Sequence, residues 1–191
     1  MNDKIKDFFN LVSANWAPDY DEELLRSLFL ETKMEEGKKA LDVGCGMGII
    51  TPLLYDITKV KVTAIDIADK MIDGARVKFK DNPHYEFICG DFYDYEFSEL
   101  YDYVVMYNCY PHFLDIKKLE LKSYDILNDN GLLIIMHSLG REMLKKHHEH
   151  IYDISRELLP ANKEAEFYIN HFDIIKTIDE DDRYLIVLRK K

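Results

Sequence analysis

Residues with the chemistry of a site fall at the ends of successive apolar runs. The stretch LDVGCGMGII closes a short apolar run on Asp42 and then sets Gly44, Gly46 and Gly48 at alternate positions. A close ligand, a tight strand-to-helix turn or close helix packing could each require glycine there, and the motif alone does not choose. Two more carboxylates recur at comparable places, Asp66 in AIDIADKMIDGAR and Asp91 in FICGDFYDY. Each could be a helix cap or a turn residue, although Asp69 is the better cap for the helix that follows and leaves Asp66 free for a ligand. The stretch YNCYPHF offers Asn108 and His112, with Tyr107, Tyr110 and Phe113 as walls. His112 could act as a base or simply cap the helix expected near Asp115. Further on, His137 leaves an apolar run and is expected to face the pocket, while His147 and His150 fall on one helix face. Those three imidazoles could bind a divalent metal, grip an acidic acceptor or lie on a solvated face. No HExxH spacing supports a metal, and none is expected. Arg141 is either a partner for an acceptor carboxylate or a structural residue at a helix start.

The elements that must position these residues follow from periodicity. Ile5, Phe8, Phe9 and Val12 fall at helical spacing, and Leu24, Leu25 and Leu28 repeat it behind Asp21, a good N-cap. Strands are expected at residues 39–43, 61–66, 85–90, 101–108 and 131–138, with helical stretches in most intervals. Continuously apolar runs such as VVM and LLIIM suit a parallel sheet covered by helices on both faces. REMLKKHHEHIYDISREL reads as one long helix, PANKEAEFYIN as a second, and FDIIKTID with RYLIVLRKK as an antiparallel hairpin. The expectation is therefore an α/β, Rossmann-like, doubly wound and mostly parallel seven-stranded sheet ending in that hairpin. One domain over residues 1–191 is expected, with a helical lid at 1–35 and the core at 38–191.

Composition narrows the partners. The chain has 191 residues and 47% hydrophobic content, enough for one sizeable core. Its net charge of -11, without a basic cluster, opposes nucleic acid. Cys45, Cys89 and Cys109 are odd in number and lack CxxC spacing, which fits neither a disulfide framework nor a thiolate zinc site. No apolar run reaches the roughly 18 residues of a membrane span, so a cytoplasmic protein, monomer or homodimer, is expected.

The glycine turn follows a strand and opens a helix, where open α/β sheets bind ligands. A dinucleotide fingerprint would need Gly or Ala where Ile49 stands, and no GK[ST] follows to make a P-loop. The sequence resembles the class I S-adenosylmethionine-dependent methyltransferases, on LDVGCGMG, AIDIADKMIDGAR, FICGDFYDY, YDYVVMYNCYPHF and LNDNGLLIIMHS. YPHFLDIKK and IIMHSLGREMLKKHHEH further resemble a small, mostly uncharacterised bacterial and archaeal subgroup.

The resemblance implies S-adenosylmethionine as cofactor and methyl transfer to a small molecule by in-line displacement. It implies that the glycines pass close to the methionine and ribose moieties beside Asp42, and that Asp66 accepts from the ribose hydroxyls. Asp91 would accept from the adenine amino group, Phe92 would offer its N–H and ring, and Gly131 would end a late helix. Ile67, Met71 and Gly90 join the implied cofactor set, as does Tyr20 in the polar interval WAPDYDEE. Asn108 would hold the cofactor's amino acid end or the acceptor, and His112, His137 and Asn108 form the expected catalytic set. Phe8, Phe9 and Trp16 would belong to a lid or merely pin a helix to the sheet. Two other readings stay open: a cofactor-binding regulatory or partner protein without catalysis, and an NAD-linked oxidoreductase.

Overall fold

In chain order, the elements are α1 (Asn2–Val12), α2 (Glu22–Thr32), β1 (Ala40–Val43), α3 (Thr51–Thr58), β2 (Val62–Asp66), α4 (Asp69–Lys78) and β3 (Tyr85–Cys89). They continue with β4 (Tyr101–Tyr107), α5 (Ile116–Ile126), β5 (Leu127–His137), α6 (Arg141–His148), α7 (Ala161–Ala165), β6 (Phe172–Asp179) and β7 (Tyr184–Lys190). These come from a computed structural model that describes residues 2–16, 21–149, 151 and 153–191.

The seven strands form one sheet in the order β3-β2-β1-β4-β5-β7-β6. The first five pair in parallel, and β7 runs antiparallel to both β5 and β6. Strand alternation sorts the core onto two faces. Val104 and Met106 of β4 join one cluster with Leu133 and Ile135 of β5, whereas Tyr103, Val105 and Tyr107 join the other with Ile134 and Met136. Helices cover both faces, so the central strands read as unbroken apolar runs. Winding reverses between β1 and β4, which opens a crevice outside the carboxyl ends of those strands.

The N-terminal helices divide their work. Leu25, Leu28 and Phe29 of α2 pack into the core cluster containing Ala40, Val105 and Tyr107. Asp21 caps that helix, accepting from the N–H groups of Glu23 and Leu24. In contrast, α1 reaches α4, where Asn10 Nδ2 donates to Asp69 at 2.8 Å and Lys6 pairs with the same carboxylate at 3.1 Å. Asp69 therefore caps nothing: Ala68 occupies the N-cap position, and Asp69 ties down α1.

Three expected boundaries move. The helix after Arg141 stops at His148 instead of running through Leu158, because the following segment turns its backbone outward to other elements. Arg156 N–H donates to the Pro111 carbonyl at 2.9 Å, and the Ile154 carbonyl meets the ring of His112. Gly131 does not end a helix, since α5 ends at Ile126 and β5 begins at Leu127. The β4–β5 register jumps from Tyr101↔Leu127 to Tyr103↔Leu132, and Gly131 sits in that irregularity, where a Cβ would meet the Asn128 carbonyl at 2.9 Å. PANKEAEFYIN supplies only α7 and a single 3-10 turn, Glu166–Tyr168.

Candidate active site

The crevice widens into a cavity of about 1160 Å³ floored by strand ends and covered by α1. Single-ligand sites span roughly 300–1,000 Å³, so this one has room for a cofactor and an acceptor together.

At the floor, Gly44 and Gly46 adopt left-handed φ angles of +66° and +53°. The two glycines serve different ends. A Cβ at Gly44 would lie 2.7 Å from Cys109 Cβ, so this glycine admits the chain that leaves β4. A Cβ at Gly46 would find its nearest heavy atom, on Trp16, at 3.8 Å, and would project into open cavity. Gly48, also left-handed, does not line the cavity; a Cβ there would strike the ring of Phe79 at 2.9 Å and that of Phe87 at 3.1 Å. Its place in the expected cofactor set is corrected to close packing under stacked aromatics.

The carboxylates stand around this turn. Asp42 is buried and accepts from Thr51 Oγ1 at 2.6 Å; burial pushes its carboxyl up to about 7 against the pull of that hydrogen bond, and the Asp66 charge adds to the rise. Asp66 accepts from the Gly46 N–H through one oxygen and the Ala68 N–H through the other, both at 2.8 Å. Burial raises its pKa while those N–H groups hold it down. Asp66 is thus not free of the fold: it closes the glycine turn onto β2 and keeps further lone pairs for a ligand. Asp91 accepts from the Tyr93 N–H at 2.9 Å and from Asn2 Nδ2 at the start of α1.

Ile67, Met71, Gly90 and Phe92 also line the cavity. Tyr20 and His150 lie outside the described residues. Asn108 follows β4 with φ +54°, and its amide is committed on both atoms to Ser138: Oδ1 accepts the backbone N–H and Nδ2 donates to Oγ, each at 3.1 Å. Ser138 Oγ also accepts from Tyr107 at 3.0 Å, a link invisible in sequence because it joins two strand exits.

His112 ends the 3-10 turn Tyr110–His112, buried against Phe9 and His148 at ring distances of 5.0 and 5.2 Å. Its Nδ1 lies 2.9 Å from the Ile154 carbonyl, which can only accept. Nδ1 therefore carries the proton and Nε2 the lone pair. Burial lowers the pKa of this imidazole below its ordinary value, against the opposing pull of the carbonyl. His148, whose Nδ1 is 3.0 Å from Ser155 Oγ, is lowered to about 4 by burial and by the neighbouring His112 and His147.

Other expected members of the site are displaced. His137 is fully buried and does not line this cavity; neither ring nitrogen has a hydrogen-bond partner among the described residues, and burial lowers it to about 3. It pairs in register with Tyr184 of β7, and the two rings pack edge to face at 6.1 Å. The hairpin covers the strand end that was expected to open on the pocket. Arg141 spends its Nε on both oxygens of Asp179, at 2.9 and 2.8 Å. Tyr110 is no wall either: it lies in the core, donating to Glu164 at 2.8 Å and accepting from Tyr168 at 2.9 Å. Among the described residues, no group of three or more His, Cys, Asp or Glu could hold a metal ion.

The cavity suits an adenosyl sulfonium on three counts: an open glycine turn, carboxylates at consecutive strand tips, and Trp16, whose buried Nε1 has no partner among the described residues. A methyltransferase-domain family model matches residues 40–131, the span from β1 into β5. The chain is 32% identical over 140 residues to the malonyl-[acyl-carrier protein] O-methyltransferase of Acetivibrio thermocellus, covering 71% of this chain and 48% of that protein. It thus spans about half the length of that curated relative. A chain from the complex between the Haloferax volcanii Trm112 methyltransferase activator and a methyltransferase superposes with a TM-score of 0.77 at 18% identity, covering 95% of this chain and 97% of that one. The N-methyltransferase NodS of Bradyrhizobium japonicum, in complex with S-adenosylhomocysteine, gives 0.65 at 19% identity, covering 88% and 84%. Over residues 40–131 the chain is thus similar in sequence to the methyltransferase domain, and its fold is similar to that of S-adenosylmethionine-dependent methyltransferases.

Proposed function

We propose that this chain binds S-adenosylmethionine over the carboxyl ends of β1, β2 and β3 and directs its methyl group to a small molecule held under α1. The observation that carries this reading is the clasp of Asp66 on Gly46, which sets a carboxylate and an open glycine turn side by side at the cavity floor. In it, Asp66 takes the ribose hydroxyls, Asp91 and the Phe92 N–H take the adenine, and Ile67, Met71 and Gly90 wall that end. Asn108, held rigid by Ser138, stands toward the amino acid end. The bound cofactor supplies an electrophilic methyl on a sulfonium, so the chemistry needs neither a metal nor a covalent enzyme intermediate.

What the chain adds is positioning, water exclusion and a base. Phe8, Phe9 and Trp16 shield the cavity from above. His112, neutral at pH 7 and fixed in one tautomer by Ile154, receives a proton at Nε2. The Acetivibrio relative is named for a malonyl acceptor, which ends in a carboxylate. No lysine or arginine among the described residues lines this cavity, so that acceptor is not carried over.

The test is calorimetric titration of cofactor-stripped protein with S-adenosylmethionine, S-adenosylhomocysteine and, as control, NAD(H). Micromolar affinity for the first two alone, roughly -8 kcal/mol, is expected. Absence of binding to both would refute the reading. Tight binding with no methyl transfer to any acceptor would favour a regulatory protein.

A further inference from the structure

The acceptor end of the cavity differs in charge from the cofactor end. Asp42, Asp66 and Asp91 stand at the strand tips, whereas Phe8, Phe9, Phe113, Leu139, Leu144 and Ile151 wall the space under α1. The basic residues nearby are held elsewhere. Lys4 pairs with Asp153 at 3.0 Å, Lys6 with Asp69 at 3.1 Å, and Arg156 lies over the Tyr110 ring with Glu164 at 2.6 Å. The chain positions outside the described residues contain no lysine or arginine.

Among the described residues, the only side chains lining the cavity that could carry a positive charge are His112, His147 and His148. His112 and His148 are held neutral by burial, so they offer an anion no charge at pH 7. An ionised carboxylate entering here would lose its hydration and find no lysine or arginine among the described lining residues to replace it, a cost that apolar walls do not repay. A carboxylate would also make the oriented imidazole of His112 superfluous. It is already deprotonated at pH 7, whereas the Ile154 carbonyl turns the lone pair of His112 toward a group that still carries a proton.

Resting on the methyltransferase reading, we propose that the acceptor is an uncharged, apolar molecule bearing a weakly acidic hydroxyl or thiol that His112 deprotonates. The acceptor's oxygen or sulfur forms a bond to the methyl carbon, and the pair of the broken S–CH₃ bond stays on the departing sulfur as a thioether. The acceptor's proton passes to Nε2 of His112, which then releases it to solvent.

The experiment uses the whole chain saturated with S-adenosylhomocysteine and measures by calorimetry the affinity for four probes of one shape: naphthol, naphthylmethanethiol, naphthoate and naphthylmethylammonium. Product formation with S-adenosylmethionine is followed by mass spectrometry. The neutral pair should bind at least about tenfold tighter than either ion and should alone be methylated. Leu139→Arg, which places a cation in the wall, should raise naphthoate affinity by a similar factor. Naphthoate or the ammonium binding as well as naphthol overturns the proposal, as does failure of every probe to bind the loaded protein. If S-adenosylhomocysteine itself does not bind, the cofactor reading falls first and takes the proposal with it.

Discussion

Substituting alanine separately at Gly44 and Gly46 should separate folding from binding. Both glycines sit in the left-handed region, at φ +66° and +53°, so each alanine costs about 1–2 kcal/mol of backbone strain. That cost cancels when the two variants are compared. What remains is the space around the new methyl group. At Gly44 it would lie 2.7 Å from Cys109 Cβ and 2.8 Å from Sγ, and Cβ belongs to the backbone's own frame, so relief requires the β4 exit to move. Overpacking of this kind costs about 1–3 kcal/mol, which places Gly44→Ala about that far below Gly46→Ala in stability. In a domain of this size the difference is a melting temperature lower by roughly 2–12 °C. Gly46→Ala should instead lose cofactor affinity, because its methyl group has 3.8 Å of clearance from protein and extends into the cavity. Urea unfolding of the two ligand-free variants, paired with S-adenosylhomocysteine calorimetry, reads both effects. Equal unfolding free energies, or Gly46→Ala with parental affinity, would show that the division of labour between the two glycines is wrong.

Removing the Asp66 carboxylate by Asp66→Ala should weaken S-adenosylhomocysteine binding by about 1–3 kcal/mol; it should also lower stability, because the N–H groups of Gly46 and Ala68 lose their acceptor. Unchanged affinity in calorimetry would remove this residue from the cofactor site. For His112→Gln, turnover of a hydroxyl or thiol acceptor should fall about 10²-fold or more with cofactor affinity preserved. In the parent, turnover should be lost as pH falls through the His112 pKa, which burial sets below 6.5, and a rate independent of acid pH would return the residue to a structural role. His137→Leu probes linkage. Its folded pKa is about 3 against 6.5 unfolded, so the unfolded chain takes the proton first, and stability is whole above 6.5 and lost as pH falls toward 3. Between pH 7 and 5 this one group withdraws about 2 kcal/mol, which the variant should not lose. Only the difference between variant and parent isolates it, since Asp42, pushed up to about 7, bends the parent's curve the opposite way. Parallel pH curves would mean that His137 is not buried as a neutral imidazole.

The architecture was legible where burial imposes a simple pattern. The parallel strands are covered on both faces and so appear as continuous apolar runs, and β6 and β7 stand on either side of a polar turn. Boundaries slipped where tertiary contacts outweigh local periodicity. The run after Arg141 keeps helical spacing through Leu158, yet Ile154, Ser155 and Leu158 are buried in another conformation once the Ile154 carbonyl serves His112 and the Arg156 N–H serves Pro111. His137 shows the same limit at the scale of one strand. Alternation along β5 sets it on the face of Leu133 and Ile135, but only the return of β7 decides that Tyr184 covers it.

The same distinction divides the site. Asp42, Gly44, Gly46, Asp66 and Asp91 lie at or just past the ends of successive strands, so a parallel sheet brings them together at one cavity by topology, and spacing along the chain was enough to expect that they meet. Gly48 shows how far that logic reaches: the turn needs it, but for the rings of Phe79 and Phe87 beneath. On the acceptor side, Phe9 comes from α1, His112 from a 3-10 turn, Ser138 from the β5 exit, and Ile154 from a segment with no regular structure. No period links them, so their meeting is a product of the finished fold. This part of the chain has no strand-end rule to satisfy, and its residue types are set by packing against α1 and by whatever lies beneath it. If the proposed acceptor is right, the predominance of aromatic and aliphatic side chains over charge there is the most direct trace of it in this sequence.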